Sequence, residues 1–253
     1  MSPTKELLPS LRFASSLLSH CCLLALLAVA ACGPSGPGEG DYEVRERQSP
    51  NGTGKFYMGR EIAQVMGSSD LDWMERPGRE TEELPDRVVR ALELQPSDVV
   101  ADIGAGTGYF TFRLAPQVPL GKVYAVDIDA QMLDIIRARM AESGLDNVEP
   151  VRGTVTDPNL PDGAVDVALI VFSYPQFSHP REMMTNIFDA LQPGGRAVIV
   201  EYRGEDPTIP VDPIYRITQE QARKELEAVG FEWRETRAIL PQQHFMVFEK
   251  PFS

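Results

Sequence analysis

The sequence predicts an α/β protein: a mostly parallel sheet of seven strands, helices on both faces, and an antiparallel pair closing the sheet at the carboxyl end. Three observations predict it. From residue 82 onward, short β-branched apolar runs alternate with stretches of helical period. The first such run passes directly into a glycine-rich turn, VVADIGAGTGYF over 99–110, the junction at which a buried strand hands over to a helix. The last two strand-like runs, 231–240 and 244–249, have no helix between them and therefore pair antiparallel. Alternation of this kind places a ligand crevice at the carboxyl ends of the strands.

Taken in order, residues 56–66 and 82–94 read as two leading helices. Residues 99–103 form the first strand and 108–115 the helix after it; 122–127 is the second strand. Residues 130–143 carry apolar side chains at 132, 133, 136 and 140, a helical period that ends at Gly144. Residues 148–151 are a third strand. Residues 165–171 are a fourth, whose apolar run after Asp166 suits a strand covered on both faces. Residues 181–191 are helical, Gln192-Pro193-Gly194-Gly195 turns, and 196–201 is the fifth strand. A helix over 219–229 ends at Gly230 ahead of the closing pair.

The 253 residues do not all read as folded domain. Lys5 and Arg12 precede an apolar run, Cys21 to Ala31, that is too short for a permanent membrane span and reads as an export signal over 1–31. Val29-Ala30-Ala31-Cys32 resembles a bacterial lipobox, in which the signal is cut before a cysteine that is then lipidated. Residues 32–54, rich in Gly, Pro, Ser and charge, are expected to tether that anchor to the domain. The chain is thus expected as an exported lipoprotein on the periplasmic face of a bacterial envelope, with the membrane engaged through lipid alone. Cys21 and Cys22 leave with the signal and Cys32 is capped, so the domain holds no thiol for disulfides, nucleophilic catalysis or metal binding. The formal net charge is −13, and no basic cluster interrupts it, which argues against tRNA, rRNA or DNA as substrate.

The glycine turn selects a nucleotide by its spacing. A dinucleotide site of the G-x-G-x-x-G type that begins at Gly104 requires glycine at 109, where this chain has Tyr109. The spacing present is Asp102-x-Gly104-x-Gly106-x-Gly108. Asp127 closes the next strand, where a carboxylate accepts two hydroxyl bonds from a ribose diol.

Four blocks in order, ADIGAGTG, VYAVDIDAQML, GTVTDPNLPDGAVDVALIV and LQPGGRAVIVE, resemble the motifs of class I S-adenosylmethionine-dependent methyltransferases. The resemblance spans about residues 85–249 and implies a Rossmann-like seven-stranded fold over 96–253, preceded by leading helices over 55–95. It implies S-adenosylmethionine as cofactor. Asp102 and the loop Gly104, Ala105, Gly106 and Gly108 would hold the methionine part, Asp127 the ribose, and Ile128 would pack on the adenine. Two positions depart from the pattern. Many relatives read G-D-A in the third block, with the aspartate bonded to the adenine amino group; here Gly153-Thr154-Val155 stands there, leaving Thr154 and Val155 as the adenine contacts. After the fourth strand, Phe172-Ser173-Tyr174-Pro175-Gln176-Phe177 occupies the place of a frequent histidine pair.

Methyl transfer is an in-line displacement that relies on positioning, and a base is needed only when the acceptor loses a proton. Tyr174 and then Glu201 are the candidate catalytic groups, against the plainer view of both as crevice lining. His179, in Ser178-His179-Pro180, reads as a helix-start turn and His244 as a hairpin position. Two isolated histidines predict no metal site. The leading segment, dense in aromatic and Arg residues, is expected to form a lid with Tyr57, Trp73 and Arg76 toward the crevice. The expected function is methyl transfer to a small-molecule acceptor, a protein acceptor being the other option. The competing functions are a cofactor-binding protein without catalysis and an NAD-dependent oxidoreductase.

Overall fold

The computed structural model describes residues 42–252. The expected signal, Cys32 and the first part of the tether lie outside the described residues.

The described chain opens with a structure that the composition did not suggest. Strands β1 (Tyr42–Val44), β2 (Gly52–Tyr57) and β3 (Arg60–Ala63) form a small antiparallel sheet in that order. Residues 42–54 are therefore paired strand and loop rather than tether, and 56–66 is a hairpin rather than a helix. The hairpin turn is Met58-Gly59, both with positive φ (48° and 97°), as a two-residue primed turn requires. The Glu61 carboxylate stitches the 45–54 loop to β3 by accepting the backbone N–H groups of Gln48 and Gly54 at 2.8 and 2.9 Å. Phe56, Tyr57, Ile62 and Ala63 are buried beneath it.

Helices α1 (Leu71–Met74), α2 (Arg79–Glu83) and α3 (Pro85–Ala91) follow. The helix expected over 82–94 is broken at Leu84, whose φ is 49°, because Pro85 excludes helical geometry from the residue before it. Pro85 then starts α3 from its first turn.

The main sheet comprises β4 (Val99–Ile103), β5 (Lys122–Asp127), β6 (Val148–Arg152), β7 (Val165–Val171), β8 (Leu191–Arg203), β9 (Arg216–Ile217), β10 (Glu232–Arg237) and β11 (Gln243–Glu249). Between them run α4 (Thr111–Leu114), α5 (Ala130–Ser143), α6 (Pro180–Ala190) and α7 (Gln219–Glu227). The strand order is β10-β11-β8-β7-β4-β5-β6, with the short β9 beside β8. Every pairing is parallel except those of β11 with β8 and β10. The seven expected strands are all present. Strand β8 starts earlier than expected, because Leu191 already pairs with Val165 and Gln192 to Gly195 bulge out of the register.

Period-two alternation divides the core between the sheet's faces. Val167, Leu169, Phe245 and Val247 pack with α3, α4 and α5, whereas Ala168, Ile170, Met246 and Phe248 pack with α6 and α7. Helix α5 is bounded as its sequence indicates: the Asp129 side chain accepts the Gln131 N–H, and Gly144 closes the helix in the left-handed region. The chain moves from β4 outward to β5 and β6, then returns to the other side of β4 for β7 and β8. The ends of β4 and β7 thus flank the reversal point at which such sheets open a crevice.

Candidate active site

A cavity of about 410 Å³ occupies that crevice. Its floor comes from the ends of β4, β5, β6 and β7, and one wall from the segment before the sheet: Val65, Met66, Gly67, Trp73, Met74 and Arg79.

The glycine loop leaves β4 with Gly104 and Gly106 at φ of 74° and 54°. The N–H groups of Gly104 and Ala105 both bond the Val126 carbonyl at 2.9 Å, drawing the loop against the end of β5. A Cβ on Gly104 would lie 2.8 Å from the Ser173 side chain, so only glycine lets the β4 and β7 ends approach here. Gly104, Ala105, Gly106, Asp127, Ile128, Thr154 and Val155 all line the cavity, as their expected cofactor roles require. Asp127 accepts the Gly106 N–H on one oxygen and the Asp129 N–H on the other, each at 2.8 Å. Each oxygen keeps a lone pair, the acceptor set for a vicinal diol. Burial raises the Asp127 pKa against the pull of those two N–H groups.

Four expected site residues lie elsewhere. Asp102 is buried under the loop, where its carboxylate accepts the Thr111 hydroxyl at 2.6 Å; burial lifts its pKa to about 6. It braces the turn from below and does not line the cavity. Gly108 faces away as well: a Cβ there would meet Phe112 at 2.7 Å, so it serves helix packing. Tyr174 is fully buried, with its hydroxyl donating to Glu225 of α7 at 2.8 Å, and burial raises its pKa well above the ordinary phenol value. Glu201 is 0 % exposed and accepts the Tyr174 N–H at 2.9 Å. Its second oxygen has no hydrogen-bond partner, and burial pushes its pKa up to about 8. Tyr174 and Glu201 point into the core because the short turn 174–176 directs the Tyr174 ring under the chain toward α7. Neither is placed to touch an acceptor.

Of the three expected lid residues, Trp73 alone lines the cavity. Arg76 stacks over the Trp73 ring at 4.3 Å and turns its guanidinium to Glu82, Glu83 and the Tyr202 hydroxyl. Tyr57 is buried in the small sheet beside Tyr42. The segment is clipped to the glycine loop from outside. Glu75 binds the Thr107 hydroxyl and Arg139, and Glu80 binds the Tyr109 hydroxyl and Arg113. Tyr109, in place of a third dinucleotide glycine, thus anchors this segment, its ring between Arg79 and Arg113 at 3.8 and 4.0 Å.

The β7 side of the cavity brings in residues that the sequence did not single out. Phe172 and Phe177 provide apolar wall, and Phe172 holds a φ of 52°, a strained value for a non-glycine residue. Ser178 lines the cavity with its hydroxyl 3.0 Å from Nδ1 of His179. His179 is the residue preceding α6, as its helix-start pattern indicated, and Pro180 opens the helix. Burial and then the Lys55 charge lower its pKa, which keeps the imidazole neutral and able to accept a proton. The Lys55 ammonium comes from β2 and donates to the Ser178 carbonyl at 2.7 Å. A Ser-His-Pro tripeptide at a helix start carries no signal of this pairing, because the small sheet that supplies Lys55 had no visible period. His244 lies in β11, with Nε2 2.8 Å from Glu205. Among the described residues no His, Cys, Asp and Glu cluster is arranged to hold a metal ion.

Residues 100–195 match the family model of a methyltransferase domain. The chain has a class I methyltransferase fold. The solved structure of a SAM-dependent methyltransferase from Aquifex aeolicus superposes with a TM-score of 0.69 at 21% identity, over 74% of this chain and 100% of that one. The [4+2]-cyclase SpnF superposes with a TM-score of 0.59 at 20% identity, over 67% of this chain and 81% of its own. In sequence, the chain is 33% identical over 113 residues to the demethylmenaquinone methyltransferase of Lactococcus lactis, 44% of each protein. It is 32% identical over 111 residues to the ubiquinone/menaquinone biosynthesis C-methyltransferase UbiE of Ectopseudomonas mendocina, 43% of each. The chain thus spans less than half the length of these curated relatives.

The methyltransferase fold implies S-adenosylmethionine, and the lining fits it. The free lone pairs of Asp127 suit the ribose, Ile128 and Val155 offer apolar surface to a base, and the Gly104–Gly106 backbone is bare enough for close approach.

Proposed function

We propose that the protein is an S-adenosylmethionine-dependent methyltransferase whose acceptor is a small, largely apolar molecule. One observation carries this reading: a single cavity joins the Asp127 and Gly104–Gly106 cradle to a wall of Met66, Trp73, Met74, Phe172 and Phe177. The names of the matched relatives extend it to a quinol ring carbon as the acceptor atom.

When bound, the cofactor supplies a methyl group activated on a sulfonium. The chain's own residues position and exclude. Asp127 orients the nucleoside, the segment clipped by Glu75 and Glu80 shuts out water, and the aromatic wall holds the acceptor in line. Ser178 and His179 give the departing acceptor proton a place to go: the serine hydroxyl passes its proton to Nδ1 of His179 as it takes the acceptor's.

Calorimetry with S-adenosylhomocysteine and with NAD, followed by transfer of labelled methyl to demethylmenaquinol and to a panel of phenols, tests the reading. Binding of S-adenosylhomocysteine together with label in a quinol or phenol supports it. Binding of neither ligand overturns it. A second reading, a cofactor-binding protein without methyl transfer, is favoured by the removal of Tyr174 and Glu201 from the cavity. Binding without turnover on any acceptor would select it. We infer also that Cys32 is the lipidated anchor; Cys32→Ser should release the protein from the envelope, and its retention there would count against the anchor.

A further inference from the structure

Resting on that cofactor reading, we propose that the nucleoside end of the cavity does not read the 6-position of the purine, so that a 6-oxo nucleoside cofactor is accepted about as well as the 6-amino one. The loop after β6 leads to this. A carboxylate at position 154 would accept a hydrogen bond from a 6-amino group and repel a 6-oxo group. Thr154 stands there, and its hydroxyl is spent inside its own loop. Its oxygen accepts the N–H groups of Thr156 and Asp157 at 3.2 and 2.9 Å, and lies 3.3 Å from the Asp157 carbonyl to which it donates. One donor and two acceptors are all that a hydroxyl has. The Thr154 N–H also goes to the Asp157 carbonyl, at 2.8 Å.

The nearby carboxylates are each tied to another group through at least one oxygen. Asp157 accepts the Asn159 N–H at 2.7 Å and does not line the cavity. Among the described residues, the acidic side chains that do line it are Asp127 and Asp129. Asp127 is turned to the glycine loop and the ribose position. Asp129 caps α5 through the Gln131 N–H at 2.9 Å on one oxygen, and its other oxygen lies on the side of Gly67, before α1. The apolar side chains left to meet a base are Ile128, Met132 and Val155, the last 47% exposed; Arg152, which also lines the cavity here, is a donor that cannot accept from a 6-amino group. Apolar faces grip a purine ring by area and take no account of its edge substituent.

Calorimetry of the full chain with S-adenosylhomocysteine and with S-inosylhomocysteine tests the proposal without any methyl acceptor. The two dissociation constants are expected to agree within about threefold. Thr154→Asp is expected to introduce a preference for the adenosyl ligand on the order of tenfold or more, the worth of a hydrogen bond to a charged acceptor. A tenfold adenosyl preference in the unaltered protein overturns the proposal, and its disappearance in Asp129→Asn would assign the amino group to Asp129 instead. Equal binding of both ligands by Thr154→Asp would also overturn it, by removing the base from this loop. Failure of S-adenosylhomocysteine itself to bind marks failure of the underlying cofactor reading, a distinct result.

Discussion

Glu201 is the residue whose chemistry differs most from its sequence context. A carboxyl at the end of a parallel strand normally faces the crevice, yet this one is buried with one oxygen unpartnered and a pKa raised to about 8. In the unfolded chain it ionises near the usual carboxylate value, so between roughly pH 4.3 and pH 8 the folded state binds the extra proton. Its contribution therefore lowers stability as pH rises through that window. Glu201→Gln keeps an acceptor for the Tyr174 N–H and removes the titration. The variant's melting temperature should gain on the parent's progressively from pH 5 to pH 8; a constant difference across that range would refute the assignment. The His179 pair makes an opposite kind of prediction, on rate. With its pKa lowered by burial and Lys55, turnover on a quinol should fall along an acid limb centred below about pH 6.5. His179→Asn should lower kcat by about 10²-fold or more and abolish that limb, with S-adenosylhomocysteine affinity unchanged. Loss of ligand affinity in parallel with rate would make His179 merely structural.

At the scale of elements, the segment before the sheet is a set of very short helices that hold position through side chains rather than through their own hydrogen bonds. Segments of four and five residues lie far below the length at which a helix sustains itself. Their order comes from Glu75 and Glu80 on the glycine-loop side, from the buried Arg79–Glu83 pair, and from Trp73 under Arg76. Trp73→Ala removes cavity wall and the stacking partner of Arg76 together. It should weaken S-adenosylhomocysteine binding about tenfold and speed proteolytic cleavage within 67–83. Undiminished affinity would show that the segment is not part of the binding site.

At the scale of the whole molecule, the small amino-terminal sheet is joined to the main domain through several contacts, of which a buried ion pair is one. Arg60 of β3 meets Glu225 of α7 through two hydrogen bonds of 2.8 Å, and Tyr174 donates to the same carboxylate. Burial works against the Arg60 charge, and Glu225 more than offsets it. Arg60→Ala strands a carboxylate that is 0% exposed and should cost about 3–5 kcal/mol in urea unfolding. Arg60→Met combined with Glu225→Leu should recover most of that loss. Equal loss in the single and double variants would mean that the pair itself has no special standing.

Local information sufficed where an element's identity lies in consecutive residues. The central strands β4, β7 and β8 announce themselves as apolar runs, α5 by its period and its caps, and the glycine loop by a spacing that only a strand-to-helix turn tolerates. Asp127, Ile128 and the Gly104–Gly106 cradle were legible for the same reason, since they adjoin the strand ends that fix them. The small sheet was not legible: its strands have three to six residues, and their pairing is stabilised by Glu61, Arg60 and Lys55 through contacts distant in sequence. Nor could a strand-end position tell that Asp102, Tyr174 and Glu201 turn into the core while Ser178 turns into the cavity. The sequence by itself determined the main sheet, its helices and the loops that line the cavity at the strand ends, because hydrophobic period and glycine geometry act over a few residues. The tertiary structure alone decided which polar side chains face the cavity, because that direction depends on partners supplied by other elements of the fold.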